Sequence, residues 1–254
     1  MKISIVTAVY NRQGTIGEAI RSVQAQNYRN VEHLIQDGGS TDGTLEIVES
    51  LANSLTYVVS VRDAGIYDAL NRGIARASGD VIGVMHSDDL FASDNILGKV
   101  ALAFEDNKID GVYGDLQYVS ASDPNQLIRY WRSGPYEPRL LGRGWMPPHP
   151  TLYLRRSVFE RLGCYDTSYQ IAADYDAILR WLNFGKISLC YIPEVMVKMR
   201  VGGESNRSIG RVIRKSLEDY SAIRRNGVGG LGVLIQKNTS KLKQFIVPHD
   251  IIPQ

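Results

Sequence analysis

The chain has 254 residues, 44% of them hydrophobic and 22% charged, and a formal net charge of +2. This make-up suits a globular protein that buries its own core without a disulfide or metal staple, and the near-neutral charge carries no signal for nucleic acid or membrane. Cys164 and Cys190 stand far apart in no CxxC pair, so two packed, reduced thiols in a cytosol are expected rather than a metal or redox centre.

Ile3 to Val9 is a continuous β-rich run, the pattern of a strand covered on both faces. Asn11 and Arg12 end it too soon for a secretory signal, and no stretch approaches the ~20 apolar residues that span a bilayer. Thr15-Ile16-Gly17-Glu18 has the form of a capping box, followed by Ile16, Ala19, Ile20 and Val23 at helical spacing. A second strand, Val31 to Gln36, runs into the turn Asp37-Gly38-Gly39-Ser40-Thr41-Asp42-Gly43, and a helix with Leu45, Val48 and Leu51 on one face follows. Thr56 to Val61 reads as strand three, Ile66, Ala69, Leu70 and Ile74 as a helical stripe, and Val81 to Met85 as strand four, stopping at His86-Ser87-Asp88-Asp89.

This order predicts a parallel sheet with right-handed crossovers, whose ligands bind beyond the carboxyl ends of the strands. The polar clusters fall there: Tyr10-Asn11, Asp37 to Asp42, Arg62-Asp63 and Asp88-Asp89. Four such clusters at one edge mark a site.

After about residue 111 the pattern changes. Gly111 to Val119 and Leu127 to Trp131 read as strands, and Gly142 to Pro150 as an irregular loop. Arg155 to Leu162 and Asp174 to Phe184 read as helices, the second turning Ile178, Trp181 and Leu182 inward. From Asn206 the chain carries nine Lys/Arg against three acids, with a helical stripe of Val212, Ile213, Tyr220 and Ile223, then a mixture of apolar residues and lysines from Leu231 to Ile246.

Several motifs stand in fixed order: Val6-Thr7-Ala8-Val9-Tyr10-Asn11, Asp37 to Thr44, Asp63 to Gly73, Ser87-Asp88-Asp89, Pro148-His149-Pro150, Ala172-Ala173-Asp174-Tyr175-Asp176 and Gly202-Gly203-Glu204-Ser205. On these residues, from Met1 to about Ser205, the chain resembles family 2 of the inverting glycosyltransferases, in particular its bacterial polysaccharide-assembly members. The resemblance implies an α/β GT-A fold, Rossmann-like and mostly parallel. A nucleotide-sugar half would span 1–110 and a mixed-sheet acceptor half 111–205, with a basic helical extension over 206–254.

It also implies transfer of a sugar from a nucleotide diphosphate, UDP- more than GDP-, to an acceptor hydroxyl, with inversion. The acceptor expected is a glycan or lipid-linked glycan in surface polysaccharide synthesis. The departing diphosphate gathers negative charge, which suits Mg²⁺ or Mn²⁺ held by one or two carboxylates. Asp88 occupies the last position of the family's DxD motif, with Asp89 beside it. His86 replaces the first Asp and is a candidate for ribose or metal. The acceptor hydroxyl must lose a proton to a base within hydrogen-bond reach, and Asp174 matches the catalytic carboxylate.

The resemblance puts Tyr10 against the base, Asp37 and Asp63 near its polar edge, and Thr7 and Ala8 at the ribose through their backbone. Asn11 and Ser87 complete the nucleotide set. Asp68 reads sugar hydroxyls or braces its helix, and Arg72 meets the diphosphate or an acidic neighbour. Arg200, before a Gly-rich lid, reaches the diphosphate, and His149, held between prolines, contacts donor or acceptor. The basic tail is either a solvated helical face or an attachment to anionic lipid, which would place the protein in the cytoplasm and peripherally on the inner membrane face.

Two other classes compete. A sugar-1-phosphate nucleotidyltransferase would open with a Gly-rich phosphate loop after strand one, where Tyr10-Asn11-Arg12-Gln13-Gly14 has a single Gly. An inactive sugar-nucleotide-binding protein would need neither Asp88 nor Asp174. Nucleic-acid binding is not expected, because the tail's aromatics are nearly limited to Tyr220 and Phe245.

Overall fold

The first four strands close into the parallel sheet that their apolar runs predict. The computed structural model describes residues 1–201 and 209–243. Gly202 to Ser205, Asn206, Phe245 and Ile246, named above, lie outside the described residues.

The first half runs β1 (Ile3–Val9), α1 (Ile16–Gln24), β2 (Val31–Asp37), α2 (Thr44–Leu51), β3 (Thr56–Ser60), α3 (Ile66–Arg76) and β4 (Val81–Val84). Strands pair in the order β3-β2-β1-β4, all parallel, with Val9 level with Asp37. Alternate residues serve the two faces. Val6, Ala8, Leu34, Ile82 and Val84 join the core with Ala69, Leu70 and Ile74 of α3. Ile3, Ile5, Val81 and Met85 face the opposite layer, and Val9 and Ile35 meet Ile16, Ile20 and Val48 of α1 and α2. Gly73 permits the close approach of α3 to β1, since a Cβ there would lie 2.4 Å from Val6 Cγ1. Ile66 leaves the predicted stripe: at the first position of α3 it has no neighbour above it and is exposed.

The second half is β5 (Leu90–Phe91), α4 (Ile96–Ala103), β6 (Gly111–Val119), β7 (Leu127–Trp131), β8 (Tyr153–Arg155), α5 (Arg156–Leu162), α6 (Ala173–Leu179) and β9 (Leu189–Arg200). The sheet continues as β4-β8-β6-β9-β5, with β7 on β6. Only β6 and β9 pair in parallel there, so this half is mixed. Sequence reasoning gave no element to β5, α4, β8 or β9. The twelve-residue β9 contains Pro193, which argues against a strand; the register jumps between Tyr113–Tyr191 and Asp115–Val195, so the proline sits in an irregularity where no ladder N–H is needed. The stretch expected to be irregular contains a 3₁₀ turn over His149–Thr151, preceded by another over Pro138–Arg143. Helix α6 passes into a π-helical turn over Arg180–Phe184.

Two further helices, α7 (Ile209–Arg225) and α8 (Leu231–Lys243), pack onto the body. Glu218 accepts the backbone N–H groups of Gln170, Ile171 and Ala172, the residues leading into α6. Asn226 donates to buried Asp176 at 2.8 Å. Lys237 pairs with Asp219 at 2.6 Å, both side chains 3% exposed, and sits 3.2 Å from the Tyr175 ring centroid. The helical stripe also divides: Ile223 is buried, whereas Val212 and Ile213 are exposed.

Candidate active site

The carboxyl ends of β1, β4 and β6, the N-terminus of α3 and the loop before β8 meet around a cavity of about 330 Å³, closed by α6, α7 and α8. Asp88 and Asp174 line it together with His86, Ser87, Ala8, Tyr67 and His149. A neighbouring groove of about 650 Å³ runs between the start of α3, residues 167–171 and the start of α7, and shares Ile66, Tyr67, Gln170, Ile171 and Arg211 with the cavity.

β4 ends at Val84, and the next residues cross the sheet edge, which carries His86 to Asp88 into the opening. The His86 and His149 rings lie 5.6 Å apart. Burial lowers the His86 pKa, with the charges of Asp88 and Asp174 opposing that shift. Burial likewise holds His149 down at about 4, and its Nε2 meets the Tyr165 hydroxyl at 2.7 Å. Both imidazoles are therefore neutral at pH 7, able to hydrogen-bond hydroxyls but adding no charge. The Tyr67 hydroxyl lies 3.2 Å from Asp174 Oδ1, and burial together with that carboxylate raises its pKa well above the ordinary range, so it stays a donor.

Several expected contacts are occupied otherwise. Asp37 is fully buried and accepts Gly39 N–H, Ser40 N–H and the hydroxyls of Ser40 and Ser60, so its carboxylate orders its own turn. Thr7 turns its hydroxyl to His33 Nε2 at 2.9 Å, leaving only its backbone for a ligand. Asn11, in the left-handed region at φ 49°, accepts from Thr41 N–H and so ties the first loop to the second. Tyr10 is 57% exposed at the end of β1 and lines neither opening. The Asp63 carboxylate packs against Gly38, where a Cβ would lie 2.5 Å from Oδ2, and accepts from Gly65 N–H. Asp68 accepts from Ala64 N–H and pairs with Arg72 at 2.8 Å, which makes the pair a brace for α3; Asp68 also borders the groove.

Arg200 is a strand residue rather than part of a lid. It is buried, pairs with Glu18 and donates to the Asp88 carbonyl at 3.0 Å. Glu18 is thereby drawn away from the predicted capping box, and Thr15 Oγ1 is buried without a partner. Asp89 does not line the cavity; both its carboxylate oxygens are buried without a hydrogen bond, and burial with the adjacent Asp88 charge raises its pKa well above the usual carboxylate range.

Among the described residues no three His, Cys, Asp or Glu side chains gather as a metal cage. A hard divalent ion that shares its shell with substrate phosphates and water needs only one or two protein carboxylates. Asp88 fits that donor chemistry, with His86 beside it and the orphaned Asp89 oxygens behind it.

Sequence reasoning missed Tyr67, Tyr118, Trp131, Tyr175, Arg211, Lys215, Asp219 and Lys237 as wall residues. The placement of Tyr67 inside the Asp63 to Gly73 motif and of Tyr175 inside the Ala172 to Asp176 motif could have signalled those two. The rest reach the cavity through long-range packing.

Known proteins share this layout. The sequence pattern of the family described as "Glycosyl transferase family 2" matches residues 4–163. An uncharacterized glycosyltransferase of Mycobacterium tuberculosis is 33% identical over 180 residues, covering 70% of this chain and 68% of that protein. A PGL/p-HBAD biosynthesis glycosyltransferase of Mycobacterium bovis is 28% identical over 98% of this chain and 95% of its own.

Among solved structures, S. aureus TarS superposes with a TM-score of 0.66 at 20% identity, covering 90% of this chain; the chain spans 39% of that protein's length. TarS 1-349 in complex with UDP-GlcNAc gives 0.68 at 19% identity over 90% of this chain and 66% of that one. Mannosyltransferase PcManGT from Pyrobaculum calidifontis, in complex with GDP-Man and Mn²⁺, gives 0.67 at 19% over 93% and 68%. At that level of identity the likeness establishes a shared fold.

Proposed function

The chain belongs to glycosyl transferase family 2, folds as a GT-A enzyme and is a glycosyltransferase that uses a nucleotide-sugar donor; from that premise we propose that it inverts the sugar as it moves it from a UDP-sugar to a hydroxyl of a lipid-linked glycan. One observation carries the reading: Asp88 and Asp174, from opposite halves of the chain, line a single cavity at the carboxyl edge of the sheet. A phosphate-facing carboxylate and an acceptor-facing one are the two electrostatic requirements of this reaction.

In this reading Asp174 removes the proton of the incoming hydroxyl, and the Tyr67 hydroxyl orients the carboxylate. Neutral His149 orients a sugar hydroxyl, with Tyr165 fixing the ring. Asp88 and His86 hold the divalent ion, Mg²⁺ or Mn²⁺, which supplies positive charge against the donor diphosphate. Ser87 and the backbone of Thr7 and Ala8 border the ribose, while Tyr10 and Asp63 flank the base on a scaffold fixed by Asn11 and Asp37. Asp68 and Arg72 set the helix that lies along the donor. The complexes of TarS with UDP-GlcNAc and of PcManGT with GDP-Man and Mn²⁺ support a nucleotide-sugar donor and a divalent ion here.

Lipid-linked acceptors call for a protein that works at the inner membrane face. No described helix is long and apolar enough to cross a membrane, so the contact proposed is peripheral.

Thermal stability measured with Mn²⁺ and a panel of UDP-, GDP- and dTDP-sugars tests the donor assignment. A UDP-sugar is expected to raise the melting temperature only when the metal is present, and Asp88→Ala is expected to remove the effect. Stabilisation by no nucleotide sugar in the panel overturns the reading.

A further inference from the structure

Helix α7 presents three stripes. Asp219, Ala222, Ile223 and Asn226 are buried against the body. Arg211, Lys215 and Asp219, four residues apart, line the active-site cavity. On the outward side stand Ile213, Leu217 and Arg224, at helical spacing, with Ile213 and Leu217 56% and 66% exposed. The adjoining α8 exposes Leu231 and Ile235 by 62% and 61%. Single exposed apolar residues are common on soluble proteins, but five on two adjoining helices, Val212 among them, point to a partner.

The charge of these helices selects that partner. Both acids of α7 are engaged inward, Glu218 with the backbone before α6 and Asp219 with Lys237. α8 has no acid at all. Arg224 is exposed on the outward side, whereas Arg214 turns to the groove and donates to Gln170. A second copy related by a two-fold axis would set this acid-free face against itself, arginine towards arginine. An anionic bilayer complements both features, taking apolar side chains below its headgroups and the arginine among them.

We propose that the outward face of α7 and α8 docks on an anionic lipid bilayer by inserting Ile213, Leu217, Leu231 and Ile235. This rests on the reading above that the acceptor is lipid-linked, and it replaces attraction by a basic tail alone with a built apolar surface. Arg211 and Lys215 on the opposite face of the same helix line the cavity, so docking would hold the active site about one helix diameter, ~10 Å, from the bilayer.

The test is flotation of the full chain with vesicles of phosphatidylcholine alone and of phosphatidylcholine with phosphatidylglycerol. Binding is expected only to the second, with a part that survives high salt. The double variant Ile213→Gln/Leu217→Gln, and separately Leu231→Gln/Ile235→Gln, should lower partitioning about tenfold or more. Arg224→Gln should lower it about fivefold and steepen nothing else. Exposed side chains leave folding intact, so unchanged melting temperature and unchanged donor hydrolysis are expected for the Ile213/Leu217 variant. Absence of binding to phosphatidylglycerol vesicles overturns the proposal, as does a concentration-dependent dimer that the Ile213/Leu217 variant dissociates. Flotation uses neither donor nor acceptor, so its failure leaves the transferase reading untouched, and failure of turnover leaves flotation interpretable.

Discussion

The Tyr67 hydroxyl lies 3.2 Å from Asp174 Oδ1 and 2.6 Å from the Ile171 carbonyl oxygen, one proton shared between two acceptors. The contact joins the first turn of α3, beside the parallel strands, to the carboxylate at the start of α6. It gives the carboxylate proposed as the base a fixed orientation before any acceptor arrives.

Tyr67→Phe should therefore lower kcat about tenfold, the worth of one hydrogen bond to a charged group, with little change in donor KM. Asp174→Asn should keep donor binding and lose turnover by at least about 100-fold. Steady-state kinetics with donor titration checks both. Full turnover in Asp174→Asn would show that another group takes the proton.

Lys237 and Asp219 form an ion pair with both side chains 3% exposed. Burial lowers the lysine pKa and Asp219 pulls it back. Lys237→Met leaves a buried, uncompensated carboxylate and should destabilise by about 3–5 kcal/mol, whereas Lys237→Met/Asp219→Leu should recover most of that loss. Denaturant unfolding of the two variants measures the difference. By the same packing, a chain cut after Ser205 loses the partners of Asp176 and residues 170–172 and should not fold stably.

Arg200→Met removes the donor to the Asp88 carbonyl and the partner of Glu18. A loss of about 1–3 kcal/mol is expected, against under about 1 kcal/mol for Glu18→Gln, because Glu18 is half exposed. If Arg200 instead served only as a ligand of the diphosphate, its removal would weaken donor binding and leave the melting temperature unchanged.

His33 and His149 both sit at a pKa of about 4, lowered first by burial from an ordinary 6.5. The unfolded chain takes up these protons at a higher pH than the fold does. Stability is therefore complete above about pH 7, falls as the pH drops from 6.5 towards 4, and levels off below. The loss is on the order of 2–3 kcal/mol per histidine. Melting temperature against pH should show the slope, and His33→Gln should reduce it; an unchanged slope would mean that other groups drive acid unfolding.

The amino-acid sequence by itself determined the strand–helix alternation of the first half and the polar clusters at the carboxyl edge, and it singled out Asp88 and Asp174, which line one cavity there. These are local signals: an apolar run such as Ile3–Val9, and polar residues where each run stops. Only the tertiary structure decided how individual side chains are used. Asp37 and Arg200 look available in sequence, yet one is enclosed by its own turn and the other is drawn to Glu18, 182 residues away. β9 was hidden because Pro193 breaks the strand pattern locally, and its irregularity against β6 exists only in the paired sheet. Lys215, Asp219 and Lys237 read as part of a basic tail until α7 and α8 fold back over α6. Burial and partner choice are set by contacts between distant segments, and spacing along one chain does not carry that information.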